Sequence, residues 1–188
     1  MTITSIRNKA ALIASIGRGL RPKYVFFWGH TPAHPGSIDK SCFSQWFGAP
    51  FTVDGDHYPT AEHFMMAEKA RLFDDEATRR KILAASSPAQ AKKLGREVKG
   101  FSDGAWVDAR FEIVVQASLA KFSQNPAMGE FLGQTGDRIL VEASPPDAIW
   151  GIGMAANHEH VEQPQRWPGL NLLGFALMEA RDRLRSAA

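Results

Sequence analysis

The chain has 188 residues, of which 44% are hydrophobic, 22% charged and 10% aromatic, so it can bury an ample core and is neither disordered nor collagen-like. Twenty-two basic against twenty acidic residues leave a formal charge of +2, a poor footprint for coating nucleic acid, although an anionic small molecule fits it. Charged residues interrupt every apolar stretch before the ~20 residues that would cross a bilayer. The one cysteine, Cys42, can form neither an internal disulfide nor a multi-thiolate zinc site, and the setting expected is cytoplasmic.

The first acidic residue is Asp39, and the stretch before it carries Arg7, Lys9, Arg18, Arg21 and Lys23. That bias loosely imitates a transit peptide, but the plainer expectation is an N-terminal extension over residues 1–23 whose helix docks on the core. Tyr24-Val25-Phe26-Phe27-Trp28 is β-branched and aromatic, and Gly29, Pro32, Pro35 and Gly36 punctuate the next stretch, so a short buried strand and an irregular loop are predicted. Asp54-Gly55 between Phe51-Thr52-Val53 and Asp56-His57-Tyr58 predicts a tight hairpin. After it the signals become helical. Thr60 is placed to cap a helix over residues 61–73, and further helices are expected at 75–85, at 88–98 behind Ser87 and Pro88, at 105–123 and at 126–132. Residues 138–142 read as a brief strand, 145–153 as a loop and 172–185 as a terminal amphipathic helix. The expected fold class is mainly α, with a few short strands.

Two clusters could carry chemistry. Glu62 and Lys69 stand seven positions apart, close to two helical turns, and therefore share a face on which Met65 and Met66 lie between them. Lining a cleft, that face would have Lys69 lowered in pKa towards the neutral nucleophilic amine and Glu62 raised. The alternative is a solvated charged helix with only the methionine pair facing the core. The second cluster runs from Glu142 through Pro145, Pro146, Asp147 and Trp150 to Gly151 and Gly153. Here Trp150 could stack on a base while the glycines let backbone amides approach a phosphate or sugar, or the ring could simply pin the loop. Gly151-Ile152-Gly153-Met154-Ala155-Ala156 satisfies a relaxed dinucleotide pattern, but it follows two prolines and leads into His158 and His160, not into a strand-helix-strand unit. No His-Glu-x-x-His pair is present, so catalytic zinc is not expected.

Five strings taken together resemble the YbiA-like or NADAR family over roughly residues 26–183. They are Thr60-Ala61-Glu62-His63-Phe64 ending in Lys69, Ala120-Lys121-Phe122-Ser123-Gln124-Asn125-Pro126, Thr135-Gly136 before Leu140-Val141-Glu142, Asp147 to Gly153, and Asn171-Leu172-Leu173-Gly174 with Leu177-Met178. The resemblance implies a single multihelical domain, residues 24–188, that hydrolyses N-glycosidic bonds. It implies a small phosphorylated ribosyl substrate: a phosphoribosylamino-pyrimidine intermediate of riboflavin synthesis, or an ADP-ribosylated base such as guanine, on DNA included. A non-catalytic ADP-ribose or nucleotide-binding module is the alternative. Carried over position by position, the implied catalytic residues are Glu62, Lys69 and Asp147, and the substrate-binding residues are Trp106, Arg110, Glu142, Trp150, Gly151 and Asn171, with Arg110 as the phosphate contact. No metal, organic cofactor, membrane or obligate protein partner is implied. The chain departs from the family pattern at Gln45 and Trp46 of Phe43-Ser44-Gln45-Trp46, at Met65 and Met66, and at Pro146.

Overall fold

The computed structural model describes residues 6–187; the first five residues of the expected extension, and Ala188, lie outside the described part. The fold is mainly α: among the described residues, seven helices surround two small two-stranded sheets. Helix α1 (Lys9–Gly17) precedes β1 (Tyr24–Phe27), which runs parallel to β4 (Ile139–Glu142) with Tyr24 opposite Ile139 and Phe27 opposite Glu142. Ile139, Leu140 and Val141 are fully buried, as expected of a parallel strand covered on both faces. The chain between β1 and β4 supplies the hairpin β2 (Phe51–Val53) and β3 (Asp56–Tyr58), then α2 (Ala61–Leu72), α3 (Glu76–Leu83), α4 (Pro88–Gly95), α5 (Asp103–Gln124) and α6 (Pro126–Gly133). Helix α7 (Leu172–Ala187) closes the chain, packed on β4 and α5.

Local chemistry accounts for most of these boundaries. Asp54 and Gly55 both have positive φ, 51° and 86°, the requirement of a two-residue hairpin turn that matches strand twist. Thr60 caps α2 by accepting from the His63 amide. Because the His63 Nε2 meets the Ala85 carbonyl at 3.1 Å it must carry the proton, so Nδ1 accepts from the Thr60 hydroxyl at 2.8 Å. That buried histidine is structural, and burial holds its pKa below the ordinary value. The α4 start has Ser87 as cap and Pro88 in the first turn, where a missing N–H costs nothing. The sequence expectation carried this helix to Val98; the structure ends it at Gly95 and caps it with Arg96.

The run Lys121 to Asn125 at the end of α5 holds the segment that leads into the hairpin. Lys121, 1% exposed, donates to the carbonyls of Cys42 (2.6 Å) and Ser44 (2.9 Å). Gln124 exchanges two hydrogen bonds with the Thr52 backbone, and the Asn125 amide donates to Pro50. The N-terminal arm docks through Lys9 on the Trp167 carbonyl and through Arg7 on Glu179 and Asp182 of α7. No helix among the described residues is long and apolar enough to cross a membrane.

Gly174 lets α7 lie directly against β4: a Cβ there would sit 2.1 Å from the Leu140 carbonyl oxygen, a backbone atom that cannot yield. Gly174→Ala is expected to cost about 2 kcal/mol or more. Gly104, in α5 with nothing within 4 Å of its would-be Cβ, is the control. Gly104→Ala should be neutral or stabilising by up to about 1 kcal/mol. Urea unfolding of the two variants checks the contrast.

Candidate active site

The two parallel strands end on the same side of the molecule, and their carboxyl ends open into a cavity of about 720 Å³. This size suits a nucleotide-scale ligand. From the end of β1 come Trp28, Gly29 and His30; from the end of β4 come Glu142, Ser144, Pro146, Asp147, Ile149 and Trp150. Helix α2 contributes Glu62, Met65, Met66 and Lys69, the α4 end contributes Lys92, Gly95 and Arg96, and α5 contributes Trp106. Ser44, Gln45 and Trp46, the segment anchored by Lys121, complete this side.

Glu62 is 2% exposed and its Oε1 has no hydrogen-bond partner. Burial pushes its carboxyl up to about 7, reinforced by the charge of Asp147 and opposed by Lys92, the Trp46 indole and Arg96. Glu142 repeats the pattern. Its Oε2 is buried and unpartnered, and burial together with the charges of Asp147 and Glu62 raises it to about 8. Both acids are thus arranged to hold a proton near neutrality, as proton-donating groups require. Asp147 is held differently: its Oδ1 accepts from the amides of Ile149 and Trp150, each at 2.8 Å, which fixes the loop that presents it.

Lys69 donates to the Gly95 carbonyl at 2.8 Å and lies 4.3 Å from the Phe101 ring centre and 5.6 Å from that of Trp106. Desolvation lowers its pKa. The close packing of α4 on α2 that makes this contact depends on Gly95, since a Cβ there would overlap Met66. The spacing argument for the α2 face therefore describes the structure: Glu62 and Lys69 border one cavity with both methionines, and Met65 and Met66 are also core residues, at 3% and 7% exposure.

Of the residues expected from sequence, Glu62, Lys69, Trp106, Glu142, Asp147 and Trp150 come together, and Arg110, Gly151 and Asn171 do not line the cavity. Arg110 lies one turn beyond Trp106 on α5. Asn171 is fully buried; its Oδ1 accepts from the Glu142 amide and its Nδ2 donates to the Leu140 carbonyl, so it orients the strand end that carries Glu142. Gly151 supports the same corner, where a Cβ would meet the Glu142 carbonyl at 2.8 Å. Sequence reasoning missed Trp28, Trp46, Lys92 and Arg96. The available signal was the i,i+4 spacing of Lys92 and Arg96, which puts two cations on one face of a short helix. Four of the five tryptophans line this one cavity, a concentration that composition could not locate. Among the described residues no group of three or more His, Cys, Asp or Glu side chains could hold a metal ion.

The NADAR domain matches residues 26–185, most of the chain. The chain belongs to the NADAR family. N-glycosidase R617 of Acanthamoeba polyphaga mimivirus is 42% identical over 165 residues, covering 85% of this chain and 95% of that protein. N-glycosidase YbiA of Escherichia coli K12 is 34% identical over 148 residues, covering 79% and 84%. Riboflavin biosynthesis protein VVA0006 of Vibrio vulnificus is 34% identical over 145 residues, which are 77% of this chain but 36% of that longer protein. The NMR structure of E. coli YbiA superposes with a TM-score of 0.66 at 28% identity, over 99% of this chain and 93% of that one. The single multihelical architecture of this NADAR protein is accordingly that of YbiA.

The raised acids carry a stability consequence. A folded-state value of about 7 for Glu62, against about 4.5 when unfolded, means that the folded chain holds the extra proton between those pH values, so stability is lost as pH rises through that window. Glu62→Gln should therefore be more stable than the parent at pH 8, by on the order of 1–3 kcal/mol, with the difference vanishing near pH 4. Thermal unfolding across pH tests this, and a Glu62→Gln chain no more stable at pH 8 would contradict it.

Proposed function

We propose that this NADAR-family N-glycosidase hydrolyses the bond between C1′ of a phosphorylated ribose and a base or amine nitrogen. The substrate is drawn from phosphoribosylamino-pyrimidines of riboflavin synthesis or from ADP-ribosylated guanine. The observation that carries the reading is the convergence of two proton-holding acids, Glu62 and Glu142, with Asp147 and the desolvated amine of Lys69 on one tryptophan-lined cavity. The name of the Vibrio vulnificus relative supports the riboflavin-pathway arm.

Cleaving an N-glycosidic bond requires a proton for the departing nitrogen and stabilisation of positive charge at C1′. Glu62 supplies the proton as the C1′–N electron pair leaves with the base. Asp147 faces the developing positive charge, and Trp150 and Trp106 position the ring. The Lys69 Nζ, once it has lost its proton to solvent, bonds to C1′ and returns a proton to Glu62. The C1′–O4′ bond then breaks, its electron pair going to O4′ with the remaining proton of that nitrogen, which leaves a Lys69 imine. Water then adds to that carbon and releases Lys69, so the sum is one water consumed, one free sugar and one free base or amine.

Glu62→Gln and Lys69→Ala are each expected to lower kcat by about 10²–10⁴-fold with smaller effects on KM. Turnover of the parent should fall as pH rises through about 7, the range in which Glu62 loses its proton. Incubation with a phosphoribosylamino-pyrimidine and, separately, with ADP-ribosylated guanosine, reading free base, tests the function and selects the substrate. Borohydride treatment during turnover should trap sugar on Lys69. Undiminished turnover by Lys69→Ala would remove the covalent route, and binding of both substrates without base release would leave only a binding module.

A further inference from the structure

We propose that Lys92 and Arg96, at the end of α4, form the anion subsite of this cavity and hold the phosphate ester on the 5′ side of the ribose; the assignment rests on the N-glycosidase reading. Both side chains line the cavity, and their spacing places them on one face of the helix end. Among the described residues neither forms an ion pair within 4.0 Å, although most arginines outside the cavity do: Arg7, Arg71, Arg79, Arg80, Arg181, Arg183 and Arg185 each meet a carboxylate. The other cations near the site are already engaged. Lys69 is bonded to Gly95 and flanked by rings, and Lys121 is buried on two backbone carbonyls. Lys92 and Arg96 therefore bring free N–H donors to the cavity, with Lys92 half-buried beside the Trp46 ring, 5.7 Å from its centre, and Arg96 exposed.

The cavity is mixed in charge: Glu62, Glu142 and Asp147 line it together with Lys92 and Arg96, and Lys92 is near enough to act on both Glu62 and Glu142. Glu62 on α2 and Glu142 and Asp147 at the end of β4 would favour C1′ of a ribose as it gains positive charge, while Lys92 and Arg96 at the end of α4 would take its anion. A phosphorylated ribose can meet both sets of charges at once. Its anion goes to α4 and its glycosidic carbon to the acids. The negative end of the α4 dipole makes this helix terminus a favourable place for two cations, but it does not require them to face a cavity. Arg110, which the resemblance implied for this task, is outside the lining.

The test is equilibrium binding, by calorimetry at low ionic strength, of ribose 5-phosphate, ribose and ADP-ribose to the parent and to Lys92→Gln, Arg96→Gln, the double variant and Arg110→Gln. The parent should prefer ribose 5-phosphate to ribose. Each single α4 substitution should weaken ribose 5-phosphate by about tenfold, and the double variant should abolish the preference while leaving ribose binding in place. Lys92→Arg and Arg96→Lys should retain most of it. Melting temperatures should stay close to the parent's, which separates anion binding from a merely structural role at the helix end. A parallel loss for ADP-ribose means that the diphosphate uses the same pair, and a loss confined to ribose 5-phosphate means that the subsite takes a terminal phosphate. The proposal is overturned by a parent with no phosphate preference, by a double variant that retains it, or by Arg110→Gln alone removing it. Because these measurements need no turnover, absent base release with an intact phosphate preference would refute the glycosidase reading and leave the subsite standing.

Discussion

Asn171 links three segments at the base of the cavity. Its side chain accepts from the Glu142 amide and donates to the Leu140 carbonyl, the two bonds that a neighbouring strand would have made to the free edge of β4. Its own amide donates to the Gly151 carbonyl, and its carbonyl accepts from Phe175 in the first turn of α7. A left-handed backbone, φ 58°, is needed to do this, and asparagine adopts that conformation at lower cost than other side chains with a Cβ. Together with the Ile152 amide on the Glu142 carbonyl and the Leu172 and Leu173 amides on the Ile149 and Trp150 carbonyls, Asn171 ties the end of β4, the loop of 143–170 and the start of α7 to one another. The resemblance implied Asn171 as a substrate contact; in the structure it is fully buried, and its Oδ1, Nδ2, backbone N–H and carbonyl all have partners within the chain.

Onto that frame the molecule adds groups that work against its own stability. Two carboxylic acids sit with an oxygen each unpartnered in a largely dehydrated place, and a third lies close enough to raise both. Such an arrangement persists only when the surrounding packing determines it. Here the packing is the α2 helix wedged between α3, α4 and α5, the two uncovered strand ends, and the Lys121 anchor on the segment of 42–44. Lys92 and Arg96 stand at the end of α4, close enough to Glu62 to oppose its rise. The mixture of charges in the cavity is thus a property of how α2, α4 and the end of β4 approach one another.

Much of this was legible in the sequence where the cause is local. Asp54-Gly55 specifies a turn because of what glycine and aspartate tolerate, Thr60 and Ser87 specify helix starts because their oxygens satisfy free amides, and the seven-residue spacing of Glu62 and Lys69 puts them on one face. The features that were not legible lie between segments distant in the chain. Nothing near Lys121 indicates that its amine will replace water with two carbonyls 77 and 79 residues away, and nothing near Lys92 says that it will share a cavity with Glu142. Arg110 shows the converse: the resemblance implied it as a phosphate contact, while it lies one turn beyond Trp106 on α5 and outside the cavity lining.

The sequence by itself determined most of the helices and strands, the family and the pair on α2, because each follows from periodicity, capping chemistry or ordered motifs that do not depend on distant partners. Which acids would be buried, which cations would stay unpaired and which polar motif residues would turn inward to hold the backbone were decided only by tertiary structure. Those properties are set by the removal of water and the proximity of charges, and both arise only when β1 and β4 lie side by side with α2 and α4 across their ends.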